Sequence, residues 1–141
     1  MRVNERYAVV LVALLAAAAC HKNDSTPTPT TPTVARTTDT FTGTVAVGGD
    51  DFHSFPIAAS GNVDVTLTAA APPATIVMGL SIGMPSGDGR CVPVAGGSTQ
   101  TPPGSAVQLS GVASPGTLCV DVRDVGGETA PVTYTVTVTH P

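Results

Sequence analysis

Between Ser114 and His140 the chain contains two strands of strict alternation joined by a turn. In the first, Leu118, Val120 and Val122 point one way and Thr117, Cys119, Asp121 and Arg123 the other, because successive side chains of a strand leave on opposite faces. In the second, Val132, Tyr134, Val136 and Val138 oppose Thr133, Thr135, Thr137 and Thr139. This period of two, carried by β-branched residues, fits a half-buried sheet and no helix. An apolar face needs a covering layer, so the rest of the chain is expected to supply a second sheet.

Upstream, Phe41, Gly43, Val45 and Val47 alternate with Thr42, Thr44 and Ala46. Gly48-Gly49-Asp50-Asp51 gives a hairpin-like break before a strand from Phe52 to Ile57, and Ser60-Gly61-Asn62 turns the chain again. Val63, Val65 and Leu67 oppose Asp64, Thr66 and Thr68. After Pro72-Pro73 a longer run places Ile76, Met78, Leu80, Ile82 and Met84 on one face, with Val77, Gly79, Ser81 and Gly83 on the other. The small residues on that second face admit close approach of another strand or loop. A turn over Pro85 to Gly89 leads to Arg90-Cys91-Val92, Gly96 to Gly104 reads as loop, and Val107, Leu109 and Val112 mark one more short strand. The pattern predicts an all-β fold, an antiparallel β-sandwich of about eight strands with jelly-roll or Greek-key connections.

The first 40 residues follow a different logic. Arg2 and Arg6 precede an apolar run from Tyr7 to Ala19, thirteen residues long. A spanning helix requires about 18 to 20, so the run reads as a secretory signal over residues 1–19. Ala17-Ala18-Ala19-Cys20 resembles the lipobox of bacterial lipoproteins, in which the cysteine is acylated and becomes the first residue of the mature chain. Ala17 stands where Leu is usual, which leaves ordinary cleavage after Ala19, with Cys20 as a free thiol, as the alternative. His21 and Lys22 follow with no aspartate directly after Cys20. In enterobacterial lipoproteins that absence is associated with transport to the outer membrane. The resemblance thus implies a lipid-anchored protein of the bacterial cell envelope.

Residues 20–40 then form the lipidated N-terminus and a Thr/Pro-rich linker without apolar periodicity, in which prolines favour extended polyproline II. Its eighteen residues from Asn23 to Thr40 reach at most about 55 Å at ~3.1 Å each. All 15 glycines lie beyond it, so the sandwich is assigned to residues 41–141.

Composition narrows the function. The formal net charge is −4, and from Phe41 onward the only Lys or Arg residues are Arg90 and Arg123, so no basic stripe exists to neutralise phosphates. Nucleic acid is therefore not an expected partner. About one hundred folded residues suit a single domain, expected to be monomeric.

The order of features from Phe41 to His140 resembles the bacterial pre-peptidase C-terminal domain, a small β-sandwich usually appended to secreted proteases. The matching pieces are Gly43 with Val45, the Gly49-Asp50-Asp51 turn leading to His53-x-Phe55-x-Ile57, Gly61 before Val63-x-Val65-x-Leu67, Pro115-Gly116-Thr117-Leu118, and Tyr134-x-Val136-x-Val138. His53 and Leu118 occupy places where the family tends to carry an aromatic. The resemblance implies a non-catalytic module associated with secretion, processing or substrate attachment, and no catalytic residue carries over.

Candidate chemistry is sparse. Cys91 and Cys119, the two cysteines beyond the linker, lie on separate strands of an exported chain and are expected to form a disulfide on the outer side of one sheet. Gly79-Leu80-Ser81-Ile82-Gly83 matches the G-x-S-x-G elbow of serine hydrolases. That motif requires a strand-to-helix turn, and here it sits inside an alternating strand with no helix after it. Asp50 and Asp51 are the candidates for calcium, against the plainer reading of turn residues, because no D-x-D-x-D-G loop is present. Asp124, Gly126, Gly127 and Glu128 read as a solvated connection. Two function classes stay open. One is a non-catalytic, lipid-anchored envelope module that binds protein or glycan. The other is a structural or stress-related envelope lipoprotein without a specific soluble ligand.

Overall fold

Alternation of the kind seen at Val132–His140 runs through eight strands in the computed structural model, which describes residues 33–141. The segments expected to be a signal over residues 1–19 and a lipidated N-terminus at Cys20, and the linker up to residue 32, lie outside the described residues. The strands are β1 Thr37–Val45, β2 Asp50–Ile57, β3 Gly61–Ala71, β4 Met78–Ser86, β5 Arg90–Thr101, β6 Leu109–Ala113, β7 Gly116–Asp124 and β8 Val132–His140. They form two four-stranded antiparallel sheets, ordered β1-β8-β3-β6 and β2-β7-β4-β5. This is the jelly-roll order, in which every connection except β4–β5 passes from one sheet to the other.

The core lies between the sheets. Val63, Val65, Leu67, Val132, Val136 and Val138 from the first sheet meet Phe55, Met78, Leu80, Val120 and Val122 from the second, all buried. The outer face of the first sheet is a threonine array in which Thr38, Thr40, Thr42 and Thr44 stand opposite Thr139, Thr137, Thr135 and Thr133. Cross-strand pairs of β-branched hydroxyls of this type stabilise a solvated sheet surface, and the Thr38 and Thr139 hydroxyls meet at 2.9 Å.

Four sequence expectations change. The turns after Val45 and after Asp124 do not make hairpins: β1 and β2, like β7 and β8, belong to different sheets. Alternation marks which face is buried, and two consecutive apolar faces satisfy each other equally well across a core. The fold starts at Thr37, not Phe41, because Thr37–Thr40 pair with Thr137–His140. After Pro32 no proline interrupts the ladder, and threonine is a strong strand former whatever tract it sits in. Gly96 to Gly104 is not all loop, since Ser98–Thr101 continue β5 beside Met78–Ser81. The glycines absorb an irregularity in that ladder, with Gly96 at φ +73°. Finally, Met84 leaves the apolar face of β4 and is 60% exposed, at the point where β4 outruns the core.

Candidate functional site

The two open sides of the sandwich are closed in different ways. On the β1–β2 side, rings span the gap between the sheets. His53 stacks on Phe41 with centroids 4.8 Å apart, Phe41 lies 6.3 Å from Phe55, and Phe55 lies 5.3 Å from His140. Polar groups finish the seam. His53 Nε2 and the Tyr134 hydroxyl are 2.9 Å apart, Tyr134 donates to Asp51 Oδ2 at 2.9 Å, and His140 Nε2 sits 3.1 Å from Asp39 Oδ2. Burial, with the acceptor carboxylate of Asp51 beside it, pushes the Tyr134 phenol far above its ordinary range. Gly43 makes the network possible, because a methyl group there would collide with the Asp51 carboxylate and lie 2.6 Å from the Tyr134 hydroxyl.

The calcium candidates fall on opposite faces. Asp51 is taken up by the seam, whereas Asp50 borders a depression on the outer face of the second sheet, with Arg90, Asp121, Arg123 and Asp124. Adjacent strand residues project oppositely, so their carboxylates do not converge on one cation. Among the described residues no group of three or more His, Cys, Asp or Glu side chains is placed to hold a metal.

On the same outer face, Cys91 of β5 is bonded to Cys119 of β7, with Cα atoms 5.8 Å apart. β4 lies between these strands, and Gly83 is the reason they meet. The Val92 carbonyl and Pro93 lie directly over Gly83, so the first half of β5 crosses the face of β4. Gly79 plays the same part for Arg123, whose side-chain carbon would lie 2.6 Å from a methyl group there. Under this cover Asp121 is only 2% exposed. Arg123 Nε donates to Asp121 Oδ2 at 2.8 Å and Arg123 Nη2 to Ser81 Oγ at 3.2 Å, while Ser98 donates to Ser81 at 3.1 Å. Burial raises the Asp121 carboxyl above its ordinary range despite the arginine. Ser81 is thus held inside β4 by Ser98 and Arg123 and is not presented at a turn.

Glu128 departs from the solvated connection expected of it. Asp124 caps the turn, accepting from Gly126 and Gly127 at 2.7 and 3.1 Å and from Gly48 at 2.8 Å. Glu128, however, is 7% exposed, and neither carboxylate oxygen has a hydrogen-bond partner among the described residues. Desolvation, followed by the charge on Asp124, raises its carboxyl.

The β5–β6 side has no rings. Neither β5 nor β6 contains an aromatic residue, and sheets about 10 Å apart are not bridged by alanine, valine and glycine. The result is a groove of about 500 Å³ that opens onto the core side chains Val63, Ile82 and Leu118. Its rim carries Met84, Val94 and Val112, all exposed, Val112 by 83%. No ionisable side chain lines it. Sequence reading missed this site because its signal is a lack, namely two edge strands built of small residues, and because Met84 reads as core. No protein-family model matches the chain, and no curated protein is found similar to it.

Proposed function

We propose that the protein is a lipid-anchored, non-catalytic module of the bacterial envelope, related to pre-peptidase C-terminal domains, that holds a protein partner at the β5–β6 side of its sandwich. The observation that carries the reading is the groove on that side, which no ionisable side chain lines and which opens onto the core side chains Val63, Ile82 and Leu118 beside the exposed Met84 and Val94. Exposed apolar rims next to accessible core side chains are characteristic of interaction sites. The anchor is supported by the charged leader, the short apolar run and the small residues before Cys20. The walls favour a protein partner over a glycan, since sugar recognition relies on aromatic platforms and on carboxylate and amide side chains. The groove is lined by none of these, its only polar side chains being the hydroxyls of Ser110, Ser114 and Thr117.

Metabolic palmitate labelling with membrane fractionation tests the anchor. The parent chain is expected to take up label and sediment with membranes, and Cys20→Ser to lose both. An unlabelled parent chain, or membrane association that persists unchanged in Cys20→Ser, overturns the anchor.

A further inference from the structure

We propose that the β5–β6 groove takes an extended, uncharged apolar stretch of a second polypeptide, which adds a strand to the free edge of β6 and places one side chain in the space opposite Gly111. The inference rests on the binding-module reading for the existence of a partner, and it is independent of the lipid anchor.

Three features define the occupant. The first is the edge itself. β1, β2, β5 and β6 are the outermost strands of the two sheets. Sheet edges are ordinarily guarded against pairing by charge or proline. β1 carries Asp39, β2 carries Asp50, Asp51 and Pro56, and β5 carries Arg90 and Pro93. β6, Leu-Ser-Gly-Val-Ala, carries neither, and pairs only with β3 among the described residues. Its outer backbone groups are available to a fifth strand of about five residues, the mode known as strand addition.

The second is a vacancy of matching size. Leu109 and Ala113 are buried, so alternation turns Gly111 inward between them. A methyl group at Gly111 would meet nothing within 4 Å. Its backbone is not left-handed, so no turn requires glycine here. An incoming strand supplies what β6 omits, an apolar side chain against Val63, Ile82 and Leu118. The third is charge. With no ionisable group in the lining, a charged side chain would enter without a partner, at a desolvation cost that excludes it. An acyl chain meets the charge condition but leaves the backbone groups of β6 dry and unpaired, which a peptide strand does not.

The test uses the full chain carrying Cys20→Ser, free of detergent, titrated against a fluorescent, end-blocked peptide of alternating valine and threonine and read by anisotropy. Saturable binding is expected. Gly111→Val should weaken it at least tenfold and raise the unfolding midpoint, because the new side chain fills the vacancy; loss of binding with gain of stability separates occlusion from misfolding. Val94→Asp, which charges the exposed rim, should also weaken binding, as should N-methylation of alternate peptide residues. The proposal is overturned by an absence of peptide binding, by binding indifferent to both substitutions, or by decanoate taking the site in place of the peptide. It is equally overturned by a concentration-dependent dimer that Gly111→Val abolishes, which would assign the groove to a second copy of the chain. An envelope partner whose capture is unaffected by Gly111→Val would leave the binding-module reading standing and remove the groove from it.

Discussion

Breaking the Cys91–Cys119 bond should cost the protein a large part of its stability without changing its fold. The bond spans a sequence separation of 28 residues. In the chain-entropy treatment, closing a loop of that length restricts the unfolded chain by about 3.5 kcal/mol. The 109 residues from 33 to 141 unfold with an entropy of roughly 230 cal/mol/K at ~2.1 cal/mol/K per residue, so the midpoint should fall by about 15 °C. The apolar faces do not depend on the bond, and the far-ultraviolet circular dichroism of the reduced protein should remain that of a β-sheet. Cys119 is fully buried, so the matching substitution is Ala, which strands no hydroxyl there. Hydrogen exchange should locate the loosening in the first half of β5, which crosses β4 at Gly83, and leave Ser98–Thr101 protected. A second readout comes from Asp121 under that crossing. Its raised carboxyl makes stability decline as pH climbs from the unfolded aspartate value, near 3.9, through the higher folded one. Opening the cover admits water, and the decline should shrink. A midpoint that moves by less than about 3 °C on reduction, or protection lost across β7 and β4 together with β5, would refute the picture of a brace on the outer face.

Gly43→Ala should destabilise the sandwich by about 1 to 3 kcal/mol in denaturant titration, because its methyl displaces the Asp51–Tyr134 hydrogen bond. Adding Tyr134→Phe to it should cost less than that change costs alone, since both remove one interaction; strict additivity would disprove the shared cause. Glu128→Gln should stabilise at pH 7, by an amount on the order of 1 kcal/mol. Burial raises this carboxyl, so its penalty is absent below the unfolded glutamate range and grows as pH rises through the folded value; the gain should therefore fade toward pH 4. A gain equal at pH 4 and pH 7 would show that the charge is not its source.

The buried faces of β3, β4, β7 and β8 were legible because alternation reports burial directly. The glycines of β4 were legible too, as a face prepared for close approach, and the cysteine pair as a bond on that side. Sheet membership was not. Phe41 of β1 and Phe55 of β2, with rings 6.3 Å apart, meet between the two sheets, and the same pattern would serve neighbours in one sheet. The groove was hidden for a different reason. Gly111 looks like any glycine in a turn-rich chain, and only the register of β6 against β3 shows that it stands where an inward side chain belongs. Glu128 looked solvated because nothing in Gly-Gly-Glu-Thr signals a covered carboxylate.

Arg36, one residue ahead of β1, donates to the Asn62 carbonyl at 3.1 Å, to Asp64 at 2.7 Å and to the Thr139 carbonyl at 2.9 Å. It rivets the residue just before β1 to β3 and β8 together. Behind it β1 lies in register with β8 over nine residues, Thr37 opposite His140 through Val45 opposite Val132. A pull along the axis of β1 meets this ladder in shear, where the rungs stretch together, and not by peeling, where they part singly. A load applied at β6 is carried to β1 through β3 and β8, so the whole mechanical path between groove and N-terminal segment runs within one sheet. The disulfide lies in the other sheet, off that path, so the domain should withstand tension almost as well reduced as oxidised, even though heat tells the two forms apart.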